Sequence, residues 1–313
     1  MLSALLLILV QLHRIDAPVS FIQQLPMSTQ AAYATQLLQD GYPGAFRVTR
    51  PLPPLRTDFF VNSTVPITAR SAVVLDAQSG AVLWFRQPDL VRPIASLTKL
   101  MTALVFLEQG VSFDTEVTIE SSDNEGTEGS RLLVEAGERL TARDLFYASL
   151  VGSANNATRA LARASGLTPE AFASRMNELA VTLGAPHTHY AEVTGLDPAN
   201  VSTALDYSRI ASYAFRNETV RQALATPEYT FETADQHVRH RIRSTDELLA
   251  DQTIGIVAAK TGYLDEAGYT FACQAAGTGS LVTVVLLGSD TSQARFTESA
   301  ALIRWVDSAY RWY

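Results

Sequence analysis

Strand signals near both ends of the chain, enclosing a helical middle, predict an α+β fold: an antiparallel sheet flanked by helices, with a helical insertion over about residues 100–215. Three observations carry this. Ala72 to Phe85 reads as two strands around Gln78-Ser79-Gly80. The middle of the chain holds apolar runs too long and too continuous for strands. Val257 to Lys260, Tyr269 to Ala275 and Leu281 to Leu287 are short apolar, β-branched runs bounded by turn residues. With 313 residues, 47% of them hydrophobic, the chain has ample material for a core and suits one large or two modest domains.

In chain order, Met1-Leu2-Ser3-Ala4-Leu5-Leu6-Leu7-Ile8-Leu9-Val10 is an apolar run of signal-peptide length, too short to span a bilayer alone. Residues 1–20 therefore read as a signal peptide or an N-terminal membrane anchor, although a basic lead-in and a clear small-x-small cleavage site before Pro18 are missing. Pro51, Pro53 and Pro54 lie between Pro43 and Pro66, so residues 21–66 read as a linker or wrapping arm and residues 67–313 as the folded body. Pro93, with Ser96 shortly after it, marks a helix start. Leu100, Met101, Ala103, Leu104, Val105 and Leu107 make that helix apolar nearly all round, as a helix buried in a core is. Ala142 to Ala164 and Pro169 to Leu183 read as helices, Ile254 to Ala259 as a buried strand, and Thr297 to Trp312 as a closing helix. No internal repeat or low-complexity tract interrupts the series.

A formal net charge of -8 without an extended basic patch argues against nucleic acid as a partner. The single cysteine, Cys273, excludes an internal disulfide and, on a predicted strand, reads as a small core residue. His187 and His189 sit in a loop without a third ligand at a recognisable spacing, so no metal and no cofactor is expected. His237 and His240 with Arg239, Arg241 and Arg243, between predicted strands, read as a solvated hairpin face that could also contact anionic wall polymer or a substrate carboxylate, and Asp123, Glu125 and Glu128 as an acidic loop that either borders the substrate entrance or serves solubility.

Chemistry is concentrated in three strings: Ser96-Leu97-Thr98-Lys99, Ser153-Ala154-Asn155 and Lys260-Thr261-Gly262. A serine hydroxyl is a poor nucleophile at neutral pH and needs a base, an orienting partner and donors for the oxyanion formed on attack. Residues three apart on a helix lie on one face, so Ser96 and Lys99 are expected to be neighbours. A free lysine is neutral in only about one molecule in a few thousand at pH 7. As a base, Lys99 therefore has to be depressed by burial and by a second cation, for which Lys260 is the candidate. Lys260-Thr261-Gly262 follows the predicted strand and precedes its hairpin partner from Tyr269, so a strand edge presents a lysine, a hydroxyl and a backbone N–H to a cleft. Gly262 fits close approach of a substrate backbone. Each string alone is weak evidence, and for each a surface reading is the better one. Their order and context together are not weak.

On these residues the chain strongly resembles the serine D,D-peptidases known as low-molecular-mass penicillin-binding proteins, the D-alanyl-D-alanine carboxypeptidase and endopeptidase family. The likeness extends to Ala72-Val73-Val74-Leu75-Asp76-Ala77, Glu135 to Thr141, Gly195-Leu196-Asp197 with Val201-Ser202-Thr203-Ala204, and Ala259 to Tyr263 through Glu266-Ala267-Gly268-Tyr269, covering roughly Ile67 to the C-terminus. The resemblance implies a β-lactamase/transpeptidase-like fold with the active site between sheet and helical part. It implies Ser96 as acylated nucleophile, Lys99 as its base, Ser153 as proton relay to the leaving amine, and Asn155 as partner of the substrate's backbone amide. Lys260 and Thr261 would hold the substrate carboxylate, beside Gly262, and the backbone N–H groups of Ser96 and Tyr263 would form the oxyanion hole. Ala154 and Asn156 depart from the family's pattern, which often has Gly and then Asp around the asparagine; Asn156 puts a neutral amide where a carboxylate is common.

The activity implied is a serine D-Ala-D-Ala carboxypeptidase or D,D-endopeptidase acting on peptidoglycan stem peptides outside the cytoplasmic membrane, secreted or anchored through its N-terminus, with β-lactams as covalent inhibitors. Two alternatives stand beside it. A class A β-lactamase normally carries a Glu-x-x-Leu-Asn string, and none lies between residues 153 and 260. An inactive peptidoglycan-binding protein would have no need to keep Ser96, Lys99, Ser153, Asn155, Lys260 and Thr261 together. The sequence ends at Tyr313, just past the predicted closing helix, which tilts the expectation towards an endopeptidase or a minimal carboxypeptidase.

Overall fold

Successive side chains of a strand leave its opposite faces, so Ala72-Val73-Val74-Leu75, apolar at every position, demands cover on both sides. The computed structural model shows that cover. It describes residues 52–57, 65–127, 129–235, 237–251, 253–277 and 281–312. The 1–20 segment, most of the 21–66 arm and Glu128 lie outside the described residues.

In chain order the strands are β1 (Leu55–Arg56), β2 (Ser71–Asp76), β3 (Val82–Arg86), β4 (Arg92–Pro93), β5 (Glu116–Thr118), β6 (Arg139–Thr141), β7 (Val201–Ser202), β8 (Glu228–Glu232), β9 (Arg239–Arg243), β10 (Ile256–Leu264), β11 (Gly268–Ala276), β12 (Leu281–Ser289) and β13 (Tyr310–Arg311). The helices are α1 (Thr98–Glu108), α2 (Ser121–Asn124), α3 (Ala142–Leu150), α4 (Asn155–Ala164), α5 (Pro169–Thr182), α6 (Ala204–Arg216), α7 (Glu218–Leu224) and α8 (Ser292–Ala309), with 3₁₀ turns at Ala95–Leu97 and Glu247–Ala250.

Strands β10, β11, β12, β2 and β3, in that order, form one antiparallel sheet. Ala72 and Val74 join Cys273, Val284, Leu286 and, from α8, Phe296, Ile303 and Val306 in one core. Val73 and Leu75 join Ala258, Ala272, Val285 and Leu287 in the other core, against Leu100 of α1, Phe146 of α3 and Ile210 of α6. Each such buried aliphatic side chain contributes about 1.5–3 kcal/mol. The exposed pair Arg143–Asp114, at 3.2 Å, contributes about 1 kcal/mol at most, so apolar burial holds the helices to the sheet. Helix α1 runs through this second core with every residue from Thr98 to Phe106 buried, as its all-round apolar pattern predicts. β10 is a sheet edge, which leaves Lys260-Thr261-Gly262 facing the helical lobe built between β3 and β10.

Several elements differ from the sequence expectation. The helix expected over Ala142 to Ala164 is two helices, α3 and α4, because Ser153 takes a left-handed φ of 57° and Ala154 is extended. A Cβ on Gly152 would meet the side chain of Ile242 from β9, so the break is packed against that hairpin. Ser96 lies not on the helix itself but in the 3₁₀ turn that leads into α1. The strand expected from Ile254 starts at Ile256, since Gly255 turns at φ 64° under the Ala276 carbonyl, and it runs on to Leu264. The closing helix starts at Ser292 and ends at Ala309; Tyr310 and Arg311 leave it as β13 to pair with β1, and Tyr310 Oη donates to the Leu83 carbonyl at 2.7 Å.

The basic stretch at 237–243 does lie on a hairpin, as expected: Arg239–Arg243 is strand β9, paired antiparallel with β8, with Arg241 paired to Glu228 at 2.5 Å and the His240 ring stacked on Phe231. Asp123 is not part of a loop bordering a substrate. It is buried in α2, accepts the Glu120 N–H at 2.8 Å and binds Arg163 at 2.7 Å. His187 Nδ1 lies 3.2 Å from Asp206, and His189 pairs through its backbone with Val201. Among the described residues no cluster of His, Cys, Asp and Glu could hold a metal ion.

Candidate active site

The turn before α1 is bent so that Ser96 points at Lys99. Ala95 takes φ 50°, a left-handed conformation costing a non-glycine residue about 1–3 kcal/mol. Its carbonyl accepts from Thr98 Oγ1 at 2.8 Å. That carbonyl lies where a Cβ on Gly195 would be, so only glycine fits opposite it. Tyr207 Oη donates to the Leu97 carbonyl at 2.6 Å and pins the same turn from α6.

Lys99 is fully buried, and its Nζ lies 2.8 Å from Ser96 Oγ, 2.7 Å from Asn155 Oδ1 and 2.6 Å from the Thr194 carbonyl. Burial pushes its pKa down to about 7, against an opposing pull from Glu192. A neutral amine has two N–H donors and one lone pair. Two of its three partners are carbonyl-type oxygens that only accept, so both N–H bonds are committed to them and the lone pair is left for the Ser96 hydroxyl proton.

The second lysine holds the second serine. Lys260 Nζ donates to Ser153 Oγ at 2.8 Å and to the Thr261 carbonyl at 2.9 Å. Its pKa is driven well down by burial first, then by the Lys99 and Arg295 cations, while Asp246 opposes the shift. As expected from the sequence, burial is the main cause that depresses Lys99, and the Lys99 and Lys260 ammonium forms disfavour one another.

Ser96, Ser153, Asn155, Thr261, Gly262 and Tyr263 line one cleft of about 640 Å³, with Lys99 and Lys260 buried behind it. Thr261 Oγ1 shares a hydrogen bond with Thr245 Oγ1 at 2.6 Å. A Cβ on Gly262 would meet Thr270 Oγ1 and Ser96 N, so the close approach it permits is first that of the nucleophile's own backbone. The Tyr263 ring packs against Tyr269, tilted by 35° with centroids 4.4 Å apart, and its hydroxyl donates to Asp265 at 2.6 Å. Opposite, Gly126, Gly129 and Ser130 form a wall. Asn156 pins that wall: its Oδ1 accepts the Leu132 N–H at 2.8 Å, and its Nδ2 donates to the Leu132 carbonyl at 2.8 Å and to Asn124 Oδ1 at 2.7 Å. A carboxylate could not make the last two bonds, so the departure from the family's pattern is matched by an amide-specific set of partners.

Sequence reasoning missed the loop behind Lys99. Glu192 accepts from Thr194 N and Thr194 Oγ1, both at 2.6 Å, and from the Gly195 N–H, and Asn200 Nδ2 ties it to Thr98 Oγ1 at 3.0 Å. These residues aim the Thr194 carbonyl at Lys99. Gly195 was the one signal of that loop in the sequence. Arg295, whose Nη1 donates to the Gly262 carbonyl at 3.1 Å, and Thr245 also border the site without any local pattern to mark them.

The comparisons with known proteins point the same way. The sequence profile of the D-alanyl-D-alanine carboxypeptidase family matches residues 59–291. A D-alanyl-D-alanine endopeptidase of Pseudomonas aeruginosa is 34% identical over 242 residues, 77% of this chain and 78% of that one. One from Escherichia coli is 30% identical over 77% of this chain and 78% of its own. The fold is similar to a Streptomyces DD-transpeptidase, with a TM-score of 0.72 at 28% identity, covering 78% of this chain and 100% of that one. It is similar also to a D-alanyl-D-alanine carboxypeptidase from Mycobacterium tuberculosis, with a TM-score of 0.71 at 30% identity, covering 78% and 92%.

Proposed function

We propose that this chain, which belongs to the D-alanyl-D-alanine carboxypeptidase family, is a serine D,D-peptidase that cleaves peptidoglycan stem peptides through a Ser96 acyl-enzyme. The observation that carries the reading is the Lys99 amine, committed to two acceptors and 2.8 Å from Ser96 Oγ. Ser96 attacks the D-alanyl carbonyl carbon as its proton passes to Lys99. The backbone N–H groups of Ser96 and Tyr263 hold the oxyanion. Ser153, on Lys260, relays that proton from Lys99 to the leaving amine as the C–N bond breaks, which returns Lys99 to the free amine. Water then attacks the ester carbonyl, Lys99 takes its proton and passes it to the Ser96 oxygen as the C–O bond breaks. Asn155 holds the substrate amide, and Lys260, Thr261 and Gly262 line the place of the terminal carboxylate. β-Lactams acylate Ser96 in the same manner.

Within this activity, cutting of cross-links and trimming of terminal D-alanine both have relatives: those named endopeptidase are 30–34% identical and those named carboxypeptidase 27–31%. Such substrates place the enzyme outside the cytoplasmic membrane. The N-terminal segment, read as a signal or anchor, fits that location. No helix among the described residues is long and apolar enough to cross a membrane.

Intact-protein mass spectrometry after incubation with benzylpenicillin tests the chemistry: one covalent adduct is expected on the wild type and none on Ser96→Ala. An adduct on both, or on neither, would refute the Ser96 acyl-enzyme. Incubation with purified cross-linked and uncrosslinked muropeptides then separates the two activities by whether dimers fall to monomers or D-alanine is released.

A further inference from the structure

Thr245 lines the cleft and has no part in the chemistry above. It lies half-buried between β9 and the 3₁₀ turn Glu247–Ala250, and its backbone N–H donates at 3.2 Å to the carbonyl of Val151, the residue that ends α3 two positions before Ser153. Its side chain reaches β10: Thr245 Oγ1 lies 2.6 Å from Oγ1 of the buried Thr261. Oxygens that close are hydrogen-bonded, so one hydroxyl of the pair donates and the other accepts. A hydroxyl has one proton and two lone pairs, which leaves the pair one proton for a third partner. The other donors of the same string are already engaged. Lys260 Nζ donates to Ser153 Oγ at 2.8 Å and to the Thr261 carbonyl at 2.9 Å, and Gly262 has no side chain. A carboxylate only accepts, and the remaining hydroxyl proton is what this pair offers it.

We propose that Thr245 is a positioning residue of the carboxylate site: its hydroxyl donates to Thr261 Oγ1 and so commits the Thr261 proton to the substrate's terminal carboxylate. The inference rests on the D,D-peptidase reading, which puts Thr261 against that carboxylate. Without the Thr245 donor the Thr261 hydroxyl turns freely about its C–O bond, and the ligand has to order it on binding. With the donor in place the Thr261 oxygen is already an acceptor, and a hydroxyl that accepts one hydrogen bond donates a stronger second one. That second bond goes to an anion, where donor strength counts most. Thr245 thus acts on the ligand through Thr261, and the Val151 carbonyl holds its backbone in place for the task.

The test is a double-mutant cycle on the second-order rate of acylation by benzylpenicillin, whose carboxylate stands for that of the peptide. It compares the wild type, Thr245→Val, Thr261→Val and the double variant, with Thr245→Ser beside them. Valine keeps the shape of threonine and removes the hydroxyl, while serine keeps the hydroxyl. The expected result is a loss of about tenfold in Thr245→Val, a rate within about twofold of wild type in Thr245→Ser, and no further loss from Thr245→Val in the Thr261→Val background. A Thr245→Val rate equal to wild type overturns the proposal. So does a loss that Thr245→Ser fails to restore, or one that persists undiminished in the Thr261→Val background, because Thr245 would then act on the fold or the nucleophile and not through Thr261. Where Thr245→Val is insoluble, Thr245→Ala carries the same cycle. A wild type that forms no adduct would instead overturn the D,D-peptidase reading itself.

Discussion

Lys99 cannot be protonated and still accept a proton from Ser96, because its other two contacts, Asn155 Oδ1 and the Thr194 carbonyl, take only N–H donors. With its pKa near 7, the acylation rate is expected to rise tenfold per pH unit below about 7 and level off above it, measured with benzylpenicillin from pH 5 to 8. Lys99→Arg, which stays charged at all these pH values, is expected to lose about 10²–10⁴-fold in rate with no acid limb left to titrate. The sign for stability follows from the same burial. Between about 7 and the ordinary lysine value of 10.5 the folded protein holds this site neutral while the unfolded chain holds it charged. Lys99 therefore makes stability rise with pH across that window, and its full penalty is present below it.

At the scale of the element, β10 and the turn before α1 meet where neither can carry extra atoms. Gly262→Ala is expected to push Ser96 N and Thr270 Oγ1 off their places. Misplacement of a reacting group by about 1 Å costs about 10²-fold in rate, and labelling with a fluorescent penicillin measures it. A variant labelled at the wild-type rate would show that the contact does not position the nucleophile. This element was legible in the sequence because an apolar run, a glycine and a hairpin partner are local signals, as was the all-round apolar face of α1. The break between α3 and α4 was not legible. The periodicity of Ala142 to Ala164 runs on through it, and the break at Ser153 and Ala154 packs its Gly152 against Ile242, about ninety residues away. The loop holding Thr194 was hidden for a similar reason, since Glu192 and Asn200 act on their neighbours' backbone and leave no periodic trace.

Over the whole molecule, one sheet separates two cores with different duties: Lys99 and Lys260 are approached from the helical lobe, while α8 closes the other face. The chain entering β2 is stitched to α8 by Glu298, whose carboxylate accepts from Thr68 N at 2.5 Å, Thr68 Oγ1 at 2.6 Å, Ala69 N at 3.3 Å and Ser289 Oγ at 3.0 Å. The first and last strands, β1 and β13, pair on the same side. Removing that carboxylate orphans several donors around a residue only 6% exposed. Glu298→Ala is expected to lower the unfolding free energy by about 2–4 kcal/mol in urea titrations. Lys99, Ser96 and Ser153 draw their partners from the opposite core, so the folded fraction of Glu298→Ala is expected to keep the acid limb of acylation at the wild-type pH. Loss of stability with the limb in place assigns the two cores separate tasks; a limb that moves with stability would mean that α8 reaches the nucleophile through Arg295 and the Gly262 carbonyl, one turn along the same helix.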